Sequence, residues 1–223
     1  MSDTVLQLEP LYRLIIAYAK RADRERFVLL FALDSRFGEI IRSTSEILIG
    51  QMRLTWWRDI LTKSAADRPA GEPLVEQINL LEKKGADLTP LLTLLDGWEA
   101  MLEDFPWQDR EFDNYAMARG SGLFGFGSPG NSALSEGQAA LAQAWALWDF
   151  ARHCSDAAMR ESAFARCRAI VAEHPDVRFD RSGRPLSILC KLMLRDVRKG
   201  QLAADLYSPA SAARIIWHGI AGR

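Results

Sequence analysis

The feature that most constrains this chain is a helical spacing of apolar residues over nearly its whole length, with no stretch showing the strict alternation of a half-buried strand. From Phe27, the positions Phe27, Leu30, Phe31, Phe37 and Ile41 fall on one helical face. From Leu141, the same spacing joins Leu141, Ala144, Trp145, Trp148 and Ala151. Further runs predict helices over 8–22, 46–64, 72–84, 88–104, 109–119, 160–173, 186–199 and 209–218. Breakers separate them: two prolines and Gly71 in 65–73, five glycines and Pro129 in 120–130, and prolines near both ends of 174–185. The glycine stretch reads as a kink or loop after a helix ending at 119. Asp87 and Thr89 suit a helix start, with Pro90 tolerated in the first turn. No repeat of 20–50 residues is present, so residues 1–223 read as a single all-α domain.

Charge and cysteine usage narrow the function classes. Hydrophobic types make 48% of the 223 residues and charged types 26%, which excludes a disordered chain. The formal net charge of -1 gives no basic surplus, so nucleic acid is not an expected partner. Cys154, Cys167 and Cys190 are too few and too scattered for a disulfide framework or a zinc site. A reducing compartment follows. The apolar patch Leu14–Ala19 precedes its basic residues rather than following them, and no run reaches the ~20 apolar residues of a membrane span. The expectation is a cytoplasmic protein, at most peripheral to the inner membrane.

One segment is more specific than composition. Gly50-Gln51-Met52-Arg53-Leu54-Thr55-Trp56-Trp57-Arg58-Asp59, inside the stretch Arg26–Leu61, resembles the squalene/phytoene synthase family, whose first aspartate helix is followed by a small residue, Arg-Leu and Trp-Trp-Arg. Trp98 to Asp104, Tyr115 and Gly120-Ser121-Gly122 resemble the tract leading to that family's glycine-kinked helix. Leu141 to Asp156 is similar to its second aspartate helix, and Arg184 to Arg195 more weakly to its closing segment. The resemblance implies an isoprenoid synthase bundle around an apolar central cavity. It also implies Mg²⁺ ions, held by two facing aspartate helices, that neutralise departing diphosphates. Tyr115, Trp145 and Trp148 become cavity-lining candidates, and Arg53, Trp56, Trp57 and Arg58 the family segment.

The metal-binding residues do not carry over. The first-motif face here is Asp34, Ser35, Gly38, Glu39 and Arg42, and the family's carboxylates fall where this chain has Gly38, Glu39 and Arg42. The second-motif face is Asp149, Arg152, His153 and Asp156, with Ala157 at a further acidic position. Arg42 puts a permanent cation where a metal ligand is needed. The resemblance therefore points to a degenerate branch, similar to the mitochondrial complex I assembly factors, with no catalytic residue and no cofactor. Ion pairs are the expected substitute: Arg42 to Asp149 or Asp156, and Glu39 to Arg152 or His153. Asp34, on an apolar stripe, should be hydrogen-bonded or line the cavity. Trp56, Trp57, Trp145 and Trp148 read as core packing.

Three functions stay open. The favoured one is a non-catalytic protein that binds a partner in a membrane or respiratory complex, or holds an isoprenoid. The second is a divergent prenyltransferase condensing two prenyl diphosphates with Mg²⁺ on Glu39, Asp149 and Asp156. The third is a peripheral membrane or interaction module with no small ligand. Gly120-x-Gly122-x-x-Gly125 formally matches a dinucleotide fingerprint, but the preceding residues read as helix rather than strand. Arg178, Arg181 and Arg184 make a basic loop that can be solvated or meet an anion.

Overall fold

The computed structural model describes residues 8–44, 46–128, 130, 132–177, 179 and 183–203. Among the described residues the chain forms nine α-helices and no strand. These are α1 (Pro10–Ala17), α2 (Arg24–Ser43), α3 (Ile47–Thr62), α4 (Pro73–Lys83), α5 (Thr89–Glu99), α6 (Asp109–Gly127), α7 (Glu136–His153), α8 (Ala157–Glu173) and α9 (Arg184–Lys199), with a 3₁₀ turn at Ala100–Leu102 after α5. The all-helical reading of the sequence is what the chain adopts. The helix expected over 209–218, and Arg178 and Arg181 of the basic loop, lie outside the described residues.

Local chemistry sets the boundaries. Proline stands in the first turn of α1, α4, α5 and α9, where its missing N–H costs nothing. Asp87 accepts a hydrogen bond from the Thr89 N–H at 2.9 Å and so fixes the entry to α5. Ser135 and Gln138 form a reciprocal capping box at α7. Asp156 caps α8 by accepting from the Met159 N–H at 2.8 Å. Gly200, at φ +65°, closes α9 in the left-handed conformation.

The glycine stretch departs from expectation. Gly120, Gly122, Gly125 and Gly127 lie inside α6, which continues to 127 instead of stopping at 119. Close approach, not bending, explains the first two. A Cβ at Gly122 would stand 2.2 Å from the Leu94 backbone nitrogen of α5, and one at Gly120 would stand 2.5 Å from the Ala142 carbonyl oxygen of α7. On the facing surface of α5, a Cβ at Gly97 would stand 2.7 Å from the Arg119 backbone nitrogen. Glycine costs each helix about 1 kcal/mol of propensity. In return α5, α6 and α7 meet backbone to backbone, and α6 is held between two neighbours.

The stripes of α2 and α7 enter one core, with Phe27, Leu30, Phe31, Phe37, Trp145 and Trp148 all buried. Trp57 joins them and meets Phe37 edge-on at 5.9 Å. Trp56 does not: it is 41% exposed, so the reading of it as core is corrected. Residues 56 and 57 are about 100° apart on a helix, and only one can face inward. Leu48 and Met52, each 66% exposed, continue the outer face of α3 above Trp56. Among the described residues no helix is long and apolar enough to cross a membrane.

Candidate functional site

Helices α1, α2, α5, α6, α7 and α9 surround a cavity of about 690 Å³. Aromatic rings supply much of its wall, including Tyr12, Trp98, Tyr115, Trp145, Trp148 and Phe150. The sequence-expected lining residues Tyr115, Trp145 and Trp148 all reach it, as do Asp34, Ser35, Arg42, Asp149, Arg152, His153 and Asp156. Gly38 and Glu39 do not line it.

A buried arginine dominates the polar part of the wall. Arg119 of α6 is 1% exposed. It donates from Nη2 to Asp34 Oδ2 and from Nη1 to Asp149 Oδ2, both at 2.9 Å. Its guanidinium carbon lies 4.5 Å from the Trp98 ring centroid and 5.0 Å from that of Trp145. These are the ranges of a cation held against aromatic faces. The other Asp34 oxygen accepts from Trp98 Nε1 at 2.8 Å. Burial drives the Asp34 carboxyl above its ordinary range, although Arg119 and the Trp98 hydrogen bond pull the other way. Burial likewise raises the Tyr12 and Tyr115 hydroxyls, helped by the negative charges of Asp34 and Asp149. Two carboxylates and one guanidinium leave the cluster with no positive surplus.

A second buried cluster stands behind Trp148. Its Nε1 donates to Asp196 Oδ2 at 3.0 Å, while Arg195 Nε donates to Asp196 Oδ1 at 2.9 Å. Arg152 stacks 5.1 Å from the Trp148 ring centroid and donates to the Ala203 carbonyl at 2.8 Å. This network fixes the Trp148 indole as a wall.

The expected ion pairs across the two motif faces do not form. Arg42 has no ion-pair partner among the described residues; it sits exposed on the cavity lining. Glu39 faces outward and meets Arg36 at 3.5 Å. Asp149 is held by Arg119, and His153 Nδ1 donates to the Asp149 carbonyl at 2.8 Å. Asp156 leaves the second face altogether, because α7 ends at His153 and Asp156 caps the next helix. The family-like segment lies away from the cavity. There Arg58 bridges to Asp96 at 2.5 Å and Glu99 at 2.7 Å, tying α3 to α5, while Arg53 donates to Thr44 Oγ1 at 3.3 Å.

Arg119 and Tyr12 are the residues that sequence reading missed. A lone arginine in a helix ordinarily faces water. The signal that could have found it is its place beside Gly120 and Gly122, where α6 comes close to the backbones of α7 and α5.

The Mg²⁺ implied by the family likeness does not fit these residues. Among the described residues, no three His, Cys, Asp or Glu side chains converge as a metal-binding group. Asp34 and Asp149 face the same guanidinium, Glu39 points outward and Asp156 is a helix cap. No protein-family model matches the sequence, and no curated protein matches it either.

Proposed function

We propose that this protein is a non-catalytic relative of the squalene/phytoene synthases that holds an apolar, prenyl-type chain in its cavity. One observation carries the reading: Arg119 stands between Asp34 and Asp149 with a hydrogen bond to each, so these cavity carboxylates are engaged by a protein cation instead of being free to hold the metal ions a condensing enzyme needs for diphosphate. A fixed guanidinium that already donates to both carboxylates satisfies them without metal, and it cannot be displaced without stranding buried charge. The cavity volume, about 690 Å³, falls inside the ~300–1,000 Å³ of small-molecule pockets, and its aromatic lining suits an unsaturated hydrocarbon. The rival, a divergent Mg²⁺-dependent prenyltransferase, needs Glu39, Asp149 and Asp156 to converge, and their placements oppose that.

Trp98, Trp145 and Trp148 line the cavity, so intrinsic tryptophan fluorescence reports its filling. Titration with farnesol is expected to give a saturable change. Ser35→Phe, placing a ring in the lining, is expected to weaken binding at least ~10-fold, the equivalent of about 1.4 kcal/mol. Saturable binding that Ser35→Phe leaves untouched would place the ligand elsewhere and end this reading.

A further inference from the structure

Helix α3 leaves an apolar face uncovered. Eight large hydrophobic side chains stand exposed among the described residues, and five of them, Ile47, Leu48, Ile49, Met52 and Trp56, belong to this one helix. Leu48, Met52 and Trp56 recur every four residues and so form a single stripe. A sixth, Met117 of α6, shares with Ile47 a groove that runs between α3 and α6 over the end of α5. Single exposed apolar residues are ordinary, but a contiguous set of them marks a contact surface.

The groove also carries charge. Asp96, Glu99, Glu103 and Asp104 line it, and among the described residues no lysine or arginine does. Arg58 of α3 engages Asp96 and Glu99, which leaves Glu103 and Asp104 without an ion-pair partner among the described residues. Arg53 lies on the other flank of α3, where it lines a separate pocket with Glu72 and donates to Thr44 Oγ1.

We propose that the α3 face and this groove dock an amphipathic helix of a partner protein, one with an apolar stripe flanked by lysines or arginines. The charge selects among occupants. A membrane surface presents anionic headgroups, and helices that lie on it meet them with basic residues; here carboxylates flank the apolar stripe. A second copy laid over the same face by a two-fold axis brings the same carboxylates and no groove cation to answer them. A basic amphipathic helix supplies both an apolar ridge for the stripe and the cations that Glu103 and Asp104 lack. The inference does not depend on the cavity reading, because the groove and the cavity have no described lining residue in common.

The test titrates the full chain into a fluorescein-labelled peptide of about 18 residues, built only of leucine and lysine with the leucines spaced for one helical face, and reads fluorescence anisotropy. A leucine–glutamate peptide with the same leucine positions is the charge control. Saturable one-to-one binding of the lysine peptide is expected, at least ~10-fold tighter than that of the glutamate peptide. Leu48→Ser combined with Met52→Ser is expected to weaken it at least ~10-fold. Glu103→Gln combined with Asp104→Asn is expected to weaken it at least ~3-fold and to flatten its salt dependence. All four side chains are exposed, so both double variants are expected to fold, which circular dichroism checks. Glu161→Gln, exposed on α8, is expected to change nothing. Absence of saturable binding, equal binding of the two peptides, or binding untouched by the Leu48 and Met52 changes would overturn the proposal. Two other outcomes in place of peptide binding would also overturn it. Cosedimentation with phosphatidylcholine/phosphatidylglycerol vesicles, lost in the Leu48 and Met52 variant, would give the face to a membrane. A dimer in analytical ultracentrifugation that the same variant dissolves would give it to a second copy.

Discussion

Arg119→Met is expected to lower the free energy of unfolding by about 3–5 kcal/mol at pH 7, measured by urea denaturation. The cause is not the lost attraction itself. Methionine fills similar space, but Asp34 and Asp149 then remain buried without their shared cation. Neutralising them should recover part of the loss, so Asp34→Asn in the Arg119→Met background is expected to be more stable than Arg119→Met alone. The pH dependence has a definite sign. The folded-state pKa of Asp34 is raised by burial, so its favourable contribution is present below the unfolded value, near 3.9, and is lost as pH rises through the folded value. Without Arg119 the folded value climbs further. The deficit of the variant should therefore shrink as pH falls from 7 toward about 4. A loss under about 1 kcal/mol, or a deficit that grows on acidification, would show that the buried cluster has a different charge balance.

Gly122→Ala is expected to be nearly as damaging, costing about 3 kcal/mol or more, because its methyl would fall 2.2 Å from a backbone nitrogen of α5. Gly120→Ala should behave alike, against the Ala142 carbonyl. Gly125→Ala is the control from the same helix. Its methyl would meet only Pro90, with Cβ at 3.4 Å, and alanine favours the helix by up to about 1 kcal/mol. Thermal unfolding of the three variants should separate them sharply, with 125 neutral or stabilised. Equal effects at 122 and 125 would mean that α6 uses glycine for bending, as the sequence suggested, and not for contact.

That contrast shows where the sequence was legible. The stripes of α2 and α7 were readable because burial on a helix imposes its period directly on residue type. Asp34 was readable for the same reason, as a carboxylate on an apolar stripe. It is both hydrogen-bonded and on the cavity wall. Positions 149, 152, 153 and 156 share a face only if one helix carries them all. Ser155-Asp156 followed by two alanines is a helix start, and that local signal was outweighed by the spacing. Arg119 was not legible. Its burial depends on three helices meeting at glycines far apart in sequence, and the one local pointer, the adjacent Gly120 and Gly122, reads as a kink until the neighbouring helices are in place.

The central claim is that Arg119, not a metal, satisfies the carboxylates of the cavity. Calorimetric titration of the purified protein with farnesyl diphosphate, with and without Mg²⁺, tests it most directly. The account predicts binding through the chain with an affinity that Mg²⁺ changes by less than about twofold, and no release of diphosphate. Binding that appears only with Mg²⁺ and is lost in Asp149→Ala would contradict it, because those carboxylates would then be holding metal.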